Sequence, residues 1–298
     1  MIKRTLYFGN PAYLKTTNEQ LIIEMHDSGK TKSAPIEDVG LLILDHQQIT
    51  ITQSLLAKLL ANNTAIITCD DTHHPTGMML SLDGHTLQSQ KFQAQVEATV
   101  PLKKQLWQQT VAAKIENQAA MLAFRREENK LLLNLAASVK SGDSENAEAQ
   151  AAAYYWKRAF PDFLEFRRER YGPPPNNLLN YGYAILRALV ARSLVASGLL
   201  PTLGIHHRNQ YNAYCLADDI MEPYRPYVDF IVYQIIRTNG KYLEMSPSMK
   251  KALLELPAMD VKIDGKKSPL MNAVQRTTAS LAKCFEGTTR KLLYPEFQ

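Results

Sequence analysis

SQKFQAQVEATVPLKKQLWQQTVAAKIENQAAMLAFRREENKLLLNLAASVK, residues 89–140, is the stretch on which the fold turns. Its apolar residues recur at helical spacing with Gln, Lys and Glu between them, the pattern of helices that bury one face. Pro101 has no amide hydrogen to give, so it divides the stretch into two helices. Upstream the period is different. RTLYFG (4–9), EQLIIEMH (19–26) and VGLLILD (39–45) are short apolar or alternating segments parted by GNPAY and DSGKTKSAP, and they read as strands between turns. TQSLLAKLLANN (52–63) reads as one short helix with Thr52 as its cap, and TAIITCDD (64–71) as a buried strand. DDTHHPTGMMLSLDGHT (70–86), with Pro75, Gly77 and Gly84, is a linker or a closing hairpin.

Downstream the helical reading continues. SGDSENAEAQAAAYYWKRAF (141–160) has the form of a capped, alanine-rich helix start. LLNYGYAILRALVARSLVASGL (178–199) is apolar nearly all round, as a central core helix is. YVDFIVYQIIR (227–237) and SPLMNAVQRTTASLAKCFEG (268–287) read as further helices. The fold class expected is α+β: a small β-rich N-terminal domain over 1–86, then a larger all-helical domain over 87–298.

The chain has 298 residues, enough to bury a substantial core. No run of about 18 uninterrupted apolar residues occurs, so no membrane span is expected. The opening MIKRTLYFGNP lacks the apolar segment of a secretory signal. Cys69, Cys215 and Cys284 stand far apart, which fits free thiols in a reducing compartment and hence a cytoplasmic protein. The net charge of +5 is uneven. Residues 1–90 carry 6 Lys/Arg against 9 Asp/Glu, and the remainder carries 28 against 20. A basic second part suits a polyanionic partner.

GIHHRNQYNAYCLADDIMEPYRP (204–226) crowds two histidines and three acids into one stretch. If 211–222 is helical, Asp218 and Glu222 share a face with Asp219 on its edge, and like charges so placed repel. Pro223 disfavours helical geometry at Glu222, so the helix ends or kinks there. A carboxylate at a helix C-terminus also opposes the macrodipole. A bound cation would offset all three penalties. One histidine with carboxylates suits Mg²⁺ or Mn²⁺, whereas a structural zinc site asks for more Cys or His. An acidic cluster is equally consistent with a solvated surface. Glu148 heads a face formed by Ala152, Tyr155 and Ala159, whose small members let another backbone come close and leave the carboxylate at a helix–helix seam. A plain first-turn glutamate favouring a helix N-terminus is the competing reading.

E-A-x-A-A-x-x-Y-W from Glu148, then NNLLNYGYAILRALVARSLVASGLLPTLGIHH (176–207) and NAYCLADDIMEPYRPYVD (212–229), resemble the CRISPR adaptation integrase family, most closely its type II versions. TLYFGNPAYL (5–14) and the strand-then-helix order agree with that family over the whole chain. The resemblance implies a metal-dependent endonuclease and integrase that inserts new spacers into a CRISPR array for antiviral defence. In its reaction a 3′-hydroxyl of an incoming fragment attacks a phosphodiester at the repeat boundary. It implies Glu148, His207 and Glu222 as the catalytic, metal-gripping set. His207 is preferred to His206 because the family's histidine stands three residues after the glycine, here Gly204. Asp218 and Asp219 are possible additional acids. Arg208 and Arg225 flank the acids as phosphate contacts, and Arg167 and Arg168 in FRRERYGPPPNN (166–177) belong to a basic loop that faces DNA or solvent. The resemblance also implies double-stranded DNA as substrate, a homodimer, and a small second adaptation subunit completing a hetero-hexamer.

Two other readings compete. DDIME has the D-D-x-x-E form of all-helical enzymes that bind diphosphates through Mg²⁺, against which stand the β domain and the absence of a second such motif. A non-catalytic DNA-organising subunit is the other, against which stands the intact Glu148/His207/Glu222 set.

Overall fold

The computed structural model describes residues 3–25, 29–160, 166–239 and 243–297. Alternation and apolar runs set the first unit, Met1–Gln88. Its elements are β1 (Arg4–Phe8), β2 (Ala12–Thr17), β3 (Gln20–Met25), β4 (Thr31–Pro35), β5 (Val39–Leu44), β6 (Ile49–Ile51), α1 (Gln53–Ala61), β7 (Ala65–Cys69) and β8 (Pro75–Met79). The expected strand over 19–26 ends at Met25, and His26 lies outside the described residues.

β5, VGLLIL, is buried along almost its whole length, as a strand covered on both faces must be. It lies between β1 and β7, parallel to both, and β8 closes that sheet antiparallel to β7, so the 70–86 segment contains a hairpin. β2 and β3 alternate buried and half-exposed side chains, with one face on the core. They form the middle of a second four-stranded sheet, in the order β4-β3-β2-β6. Leu14, Leu21, Val39, Leu42, Leu55, Leu59 and Ile66 meet in the core shared by both sheets and α1. Thr52 caps α1 by accepting from the Leu55 amide, as its sequence predicts.

The second unit, Ser89–Gln298, contains α2 (Gln88–Glu97), α3 (Val100–Phe124), α4 (Lys130–Ser138), α5 (Ala147–Ala159), α6 (Asn176–Ala196), α7 (Cys215–Met221), α8 (Arg225–Asn239) and α9 (Pro247–Leu254). β9 (Asp260–Ile263), β10 (Lys266–Pro269), α10 (Leu270–Phe285) and β11 (Pro295–Glu296) complete it. Pro101 sits in the first turn of α3, where its missing amide costs nothing, and Thr99 caps that turn. Two helices over 89–140 become three, because Arg125 to Asn129 turn the chain before α4. α6 is buried nearly all round from Leu178 to Leu194, with only Asn180, Ala184 and Arg187 partly exposed, as expected of a core helix. Gly182 lets α8 approach it: a Cβ there would lie 2.4 Å from Val228 Cγ1.

The all-helical expectation for this unit needs correction. β9, β10 and β11 form a three-stranded antiparallel sheet. Asp264 and Gly265, both at positive φ, make the two-residue hairpin turn between β9 and β10, the geometry that Asp-Gly favours. Among the described residues no helix is long and apolar enough to cross a membrane. The three cysteines are free, with Cys215 and Cys284 buried and Cys69 half-buried.

Candidate active site

Asp143 sets the position of Glu148. Its two carboxylate oxygens accept the amides of Ala147 (2.8 Å) and Glu148 (3.1 Å), closing the N-terminus of α5 with a negative charge. From that first turn Glu148 meets α3, where Lys114 Nζ donates to its Oε1 at 2.6 Å. Lys114 is buried on a face shared with Val111, Ile115 and Gln118, and its Nζ also lies 2.5 Å from Glu222 Oε2. One ammonium thus bridges two acids of distant sequence. Burial works against that ammonium, but Glu222 and then Glu148 override it and raise Lys114 above the ordinary lysine range.

Glu222 stands where α7 passes through a single 3₁₀ turn, Glu222–Tyr224, into α8. Pro223 therefore kinks the helix without ending it. Burial would push the Glu222 carboxyl up, but Arg225 and Lys114 together hold it down at about 2. Arg225 Nε donates to Oε1 at 2.8 Å. Oε2 is buried and receives no hydrogen bond of ordinary geometry, despite its closeness to the ammonium.

His207 depends on Asp219. That carboxylate is fully buried and accepts four times: from the amides of Ile205 (2.7 Å), His206 (2.9 Å) and His207 (3.2 Å), and from His207 Nδ1 (2.5 Å). The ring's other nitrogen, Nε2, is left to the site. The Asp219 hydrogen bond raises the His207 pKa against partial burial, with Asp219, Glu222 and Glu148 adding charge in the same sense. Gly204 makes the wrap possible, since a Cβ there would lie 2.4 Å from His207 O and 2.8 Å from Asp219 Oδ2. Trp107 of α3 supports both rings: His206 stacks on it at 4.1 Å and 2°, and His207 meets it edge-on at 5.7 Å.

Asp218 points elsewhere. Arg187 of α6 grips it in bidentate fashion (2.6 and 3.0 Å), and Asn212 Nδ2 donates to it at 2.7 Å. Contrary to the expectation from crowding, these acids need no bound cation to relieve their repulsion. Each acid already has its own partner: Arg187 for Asp218, backbone amides and His207 for Asp219, Arg225 and Lys114 for Glu222. Those partners stand on α3, α6, α8 and the histidine loop, most of them remote in sequence.

Among the expected phosphate contacts, Arg208 and Arg167 are exposed. Arg225 and Arg168 approach the Tyr183 ring at 4.5 and 5.2 Å. Arg168 is also tied to Asn176 and Asn180 of α6, so the 166–177 segment is anchored to that helix. Both arginines line a slot of about 160 Å³ with Lys114, Glu222, Tyr183 and Asp229. Asp229 is buried, which raises it to about 6 against the hydrogen bonds from Tyr183 and Tyr155 (2.5 and 2.8 Å). Sequence reasoning missed Lys114, Arg187, Trp107 and Asp229. For Lys114 the signal was a lone cation inside an apolar helical stripe.

The donor set suits a hard divalent cation: two carboxylates, one with a buried oxygen short of hydrogen bonds, and an imidazole fixed from behind by a carboxylate. Among the described residues no three histidine, cysteine or acidic side chains already converge closely enough to hold an ion. Lys114 stands between the two glutamates instead.

The family model described as CRISPR associated protein Cas1 matches residues 6–245. The CRISPR-associated endonuclease Cas1 of Neisseria meningitidis serogroup C is 34% identical, over 99% of this chain and 97% of its own. A solved casposase bound to integration product superposes with a TM-score of 0.80 at 20% identity, covering 98% of this chain and 92% of its own. A chain of a solved Cas6-RT-Cas1–Cas2 complex gives 0.75 at 21% identity, over 98% of this chain and 36% of its own. Both likenesses show a shared fold.

Proposed function

This chain belongs to the Cas1 family of CRISPR-associated proteins, and we propose that it is a divalent-metal-dependent DNA endonuclease and integrase that inserts spacers by 3′-hydroxyl transesterification. The observation that carries the reading is the meeting of three separate segments at one polar centre. Glu148 and Glu222 come to a single bridging cation, and His207 is fixed beside them by buried Asp219.

Glu148, Glu222 and His207 would hold Mg²⁺ or Mn²⁺, which supplies Lewis-acid polarisation of the phosphoryl oxygen and stabilises charge on the attacking or leaving oxygen. The chain's own groups do the rest. Arg225 and Arg168, steadied on the Tyr183 ring, neutralise phosphate oxygens as charge develops. Exposed Arg208 and Arg167 grip the backbone on either side with salt-sensitive affinity. Asp219 fixes the His207 tautomer with its proton on Nδ1, so Nε2 serves as ligand or takes the proton of the attacking hydroxyl. In the reaction a new P–O bond forms to the incoming 3′-oxygen, the repeat's own P–O bond breaks, and the departing oxygen takes up a proton.

In this reading residues 87–298 are the catalytic, DNA-binding domain, and the β-rich domain over 1–86 makes the dimer and partner contacts. The assembly is a homodimer joined with a small second adaptation subunit in a cytoplasmic hetero-hexamer. The solved Cas6-RT-Cas1–Cas2 complex supports such a partner, and the casposase bound to integration product supports DNA joining. The diphosphate reading loses its motif, because Asp219 is consumed by backbone amides and Asp218 by Arg187. Incubating the protein with its partner subunit, a 3′-hydroxyl duplex, a repeat-bearing plasmid and Mn²⁺ should yield joined products that Glu222→Gln abolishes. Neither joining nor cleavage by wild type with any divalent metal would defeat the reading.

A further inference from the structure

Lys114 occupies the position where two carboxylates await a cation. It comes from α3, while Glu148 belongs to α5 and Glu222 to the α7–α8 junction. Its Nζ is 2.6 Å from one acid and 2.5 Å from the other, and its side chain is only 11% exposed. Glu222 is buried and Glu148 half-buried, and two carboxylates brought together from separate helices repel unless something positive stands between them. With Arg225 on Glu222, these two acids are matched by two cations. Adding a dication would leave two excess positive charges in a buried place. The slot beside Lys114 offers room for the ammonium to leave, and Asp229 lines it as a carboxylate toward which it can turn.

We propose that Lys114 is a resident counter-ion that holds Glu148 and Glu222 together in the metal-free protein and is displaced from between them by the divalent ion. This rests on the metal-dependent reading of the site. Metal affinity is then set by competition with an internal ammonium, and an incoming DNA phosphate, by removing positive excess, tightens the metal. The coupling is reciprocal: metal tightens DNA.

The test is calorimetric titration of Mn²⁺ into metal-free wild type, Lys114→Met and Glu222→Gln. Methionine keeps the bulk of the stem without the charge. K114M should bind Mn²⁺ more tightly than wild type, on the order of tenfold. Its melting temperature should be lower without metal and should rise further on Mn²⁺ addition than that of wild type. Unchanged or weaker Mn²⁺ binding by K114M, with wild type binding and E222Q not, overturns the displacement while leaving the metal site intact. No binding by wild type overturns both. If K114M does not fold, wild type alone decides: amine-reactive labelling read by mass spectrometry should mark Lys114 faster with saturating Mg²⁺ than without it. Equal labelling with and without metal overturns the proposal.

Discussion

Replacing Asp219 by alanine removes the acceptor that gathers the histidine loop, and its cost can be worked from the contacts. The carboxylate receives four hydrogen bonds, from the amides of Ile205, His206 and His207 and from the His207 ring. A hydrogen bond to a charged group contributes about 1.5–3 kcal/mol, and a buried donor left unpaired costs about 1–3 kcal/mol. Ile205 is buried, so its amide is stranded, whereas His206 and His207 are exposed and water recovers part of their loss. The expected destabilisation is therefore about 3–4 kcal/mol, at the upper end of single-residue effects. It should be read from urea unfolding curves of metal-free protein. Asparagine separates fold from chemistry. Its carboxamide keeps the shape and can still accept from Ile205 and His206, but its NH₂ then faces His207 Nδ1 and drives the imidazole proton to Nε2. D219N should lose less stability than D219A, yet bind Mn²⁺ about 10–100-fold more weakly than wild type, as when other outer-shell partners of a ligating histidine are lost. If D219A unfolds within about 1 kcal/mol of wild type and joins DNA at the wild-type rate, the account of Asp219 is wrong.

Three further outcomes follow from the same geometry. Gly204→Ala drives a methyl into His207 O and the Asp219 carboxylate, so it should cost about 1–3 kcal/mol in thermal unfolding and lower the joining rate together; a neutral substitution would refute the close approach. His207→Ala should abolish joining, while His206→Ala, which removes only a ring stacked on Trp107, should cost about 0.5–1.5 kcal/mol and retain activity; the reverse order would reassign the histidine. Asp229 titrates at about 6 in the fold, above an ordinary aspartate near 3.9, so the stabilisation from its protonated form is complete below pH 4 and lost as pH rises through 6. The stability of wild type relative to Asp229→Asn should fall by about 3 kcal/mol between pH 4 and 7, and a gap independent of pH would contradict the burial argument.

The long helices were legible because their patterns are local: α6 is apolar nearly all round, α3 starts at a threonine and a proline, and α1 carries its own cap. The sheet in the second unit was not. β11 joins it from Pro295, more than thirty residues past β9, and only the Asp264-Gly265 turn marked its hairpin in the sequence. The site divides along the same line. Glu148, His207 and Glu222 carry motifs, but the charge that bridges the two glutamates comes from Lys114 on α3, and the one that holds neighbouring Asp218 comes from Arg187 on α6. Repulsion among near neighbours in sequence can be read from spacing alone. Its relief by partners far along the chain cannot.

Asp218 and Asp219 are consecutive residues, yet they hold opposite ends of one loop. Asp219 fixes Ile205 to His207, and Asp218 fixes Asn212 five residues later. Between these two pins runs a short arc that Asn209 turns by accepting from the amides of Tyr211 and Asn212, and it carries Arg208 and Tyr211, both exposed. Closing a longer arc is cheap, about 0.6 kcal/mol for each doubling of length. Residues added to or taken from this arc would therefore cost little, and the two pins would still hold the histidine in its place.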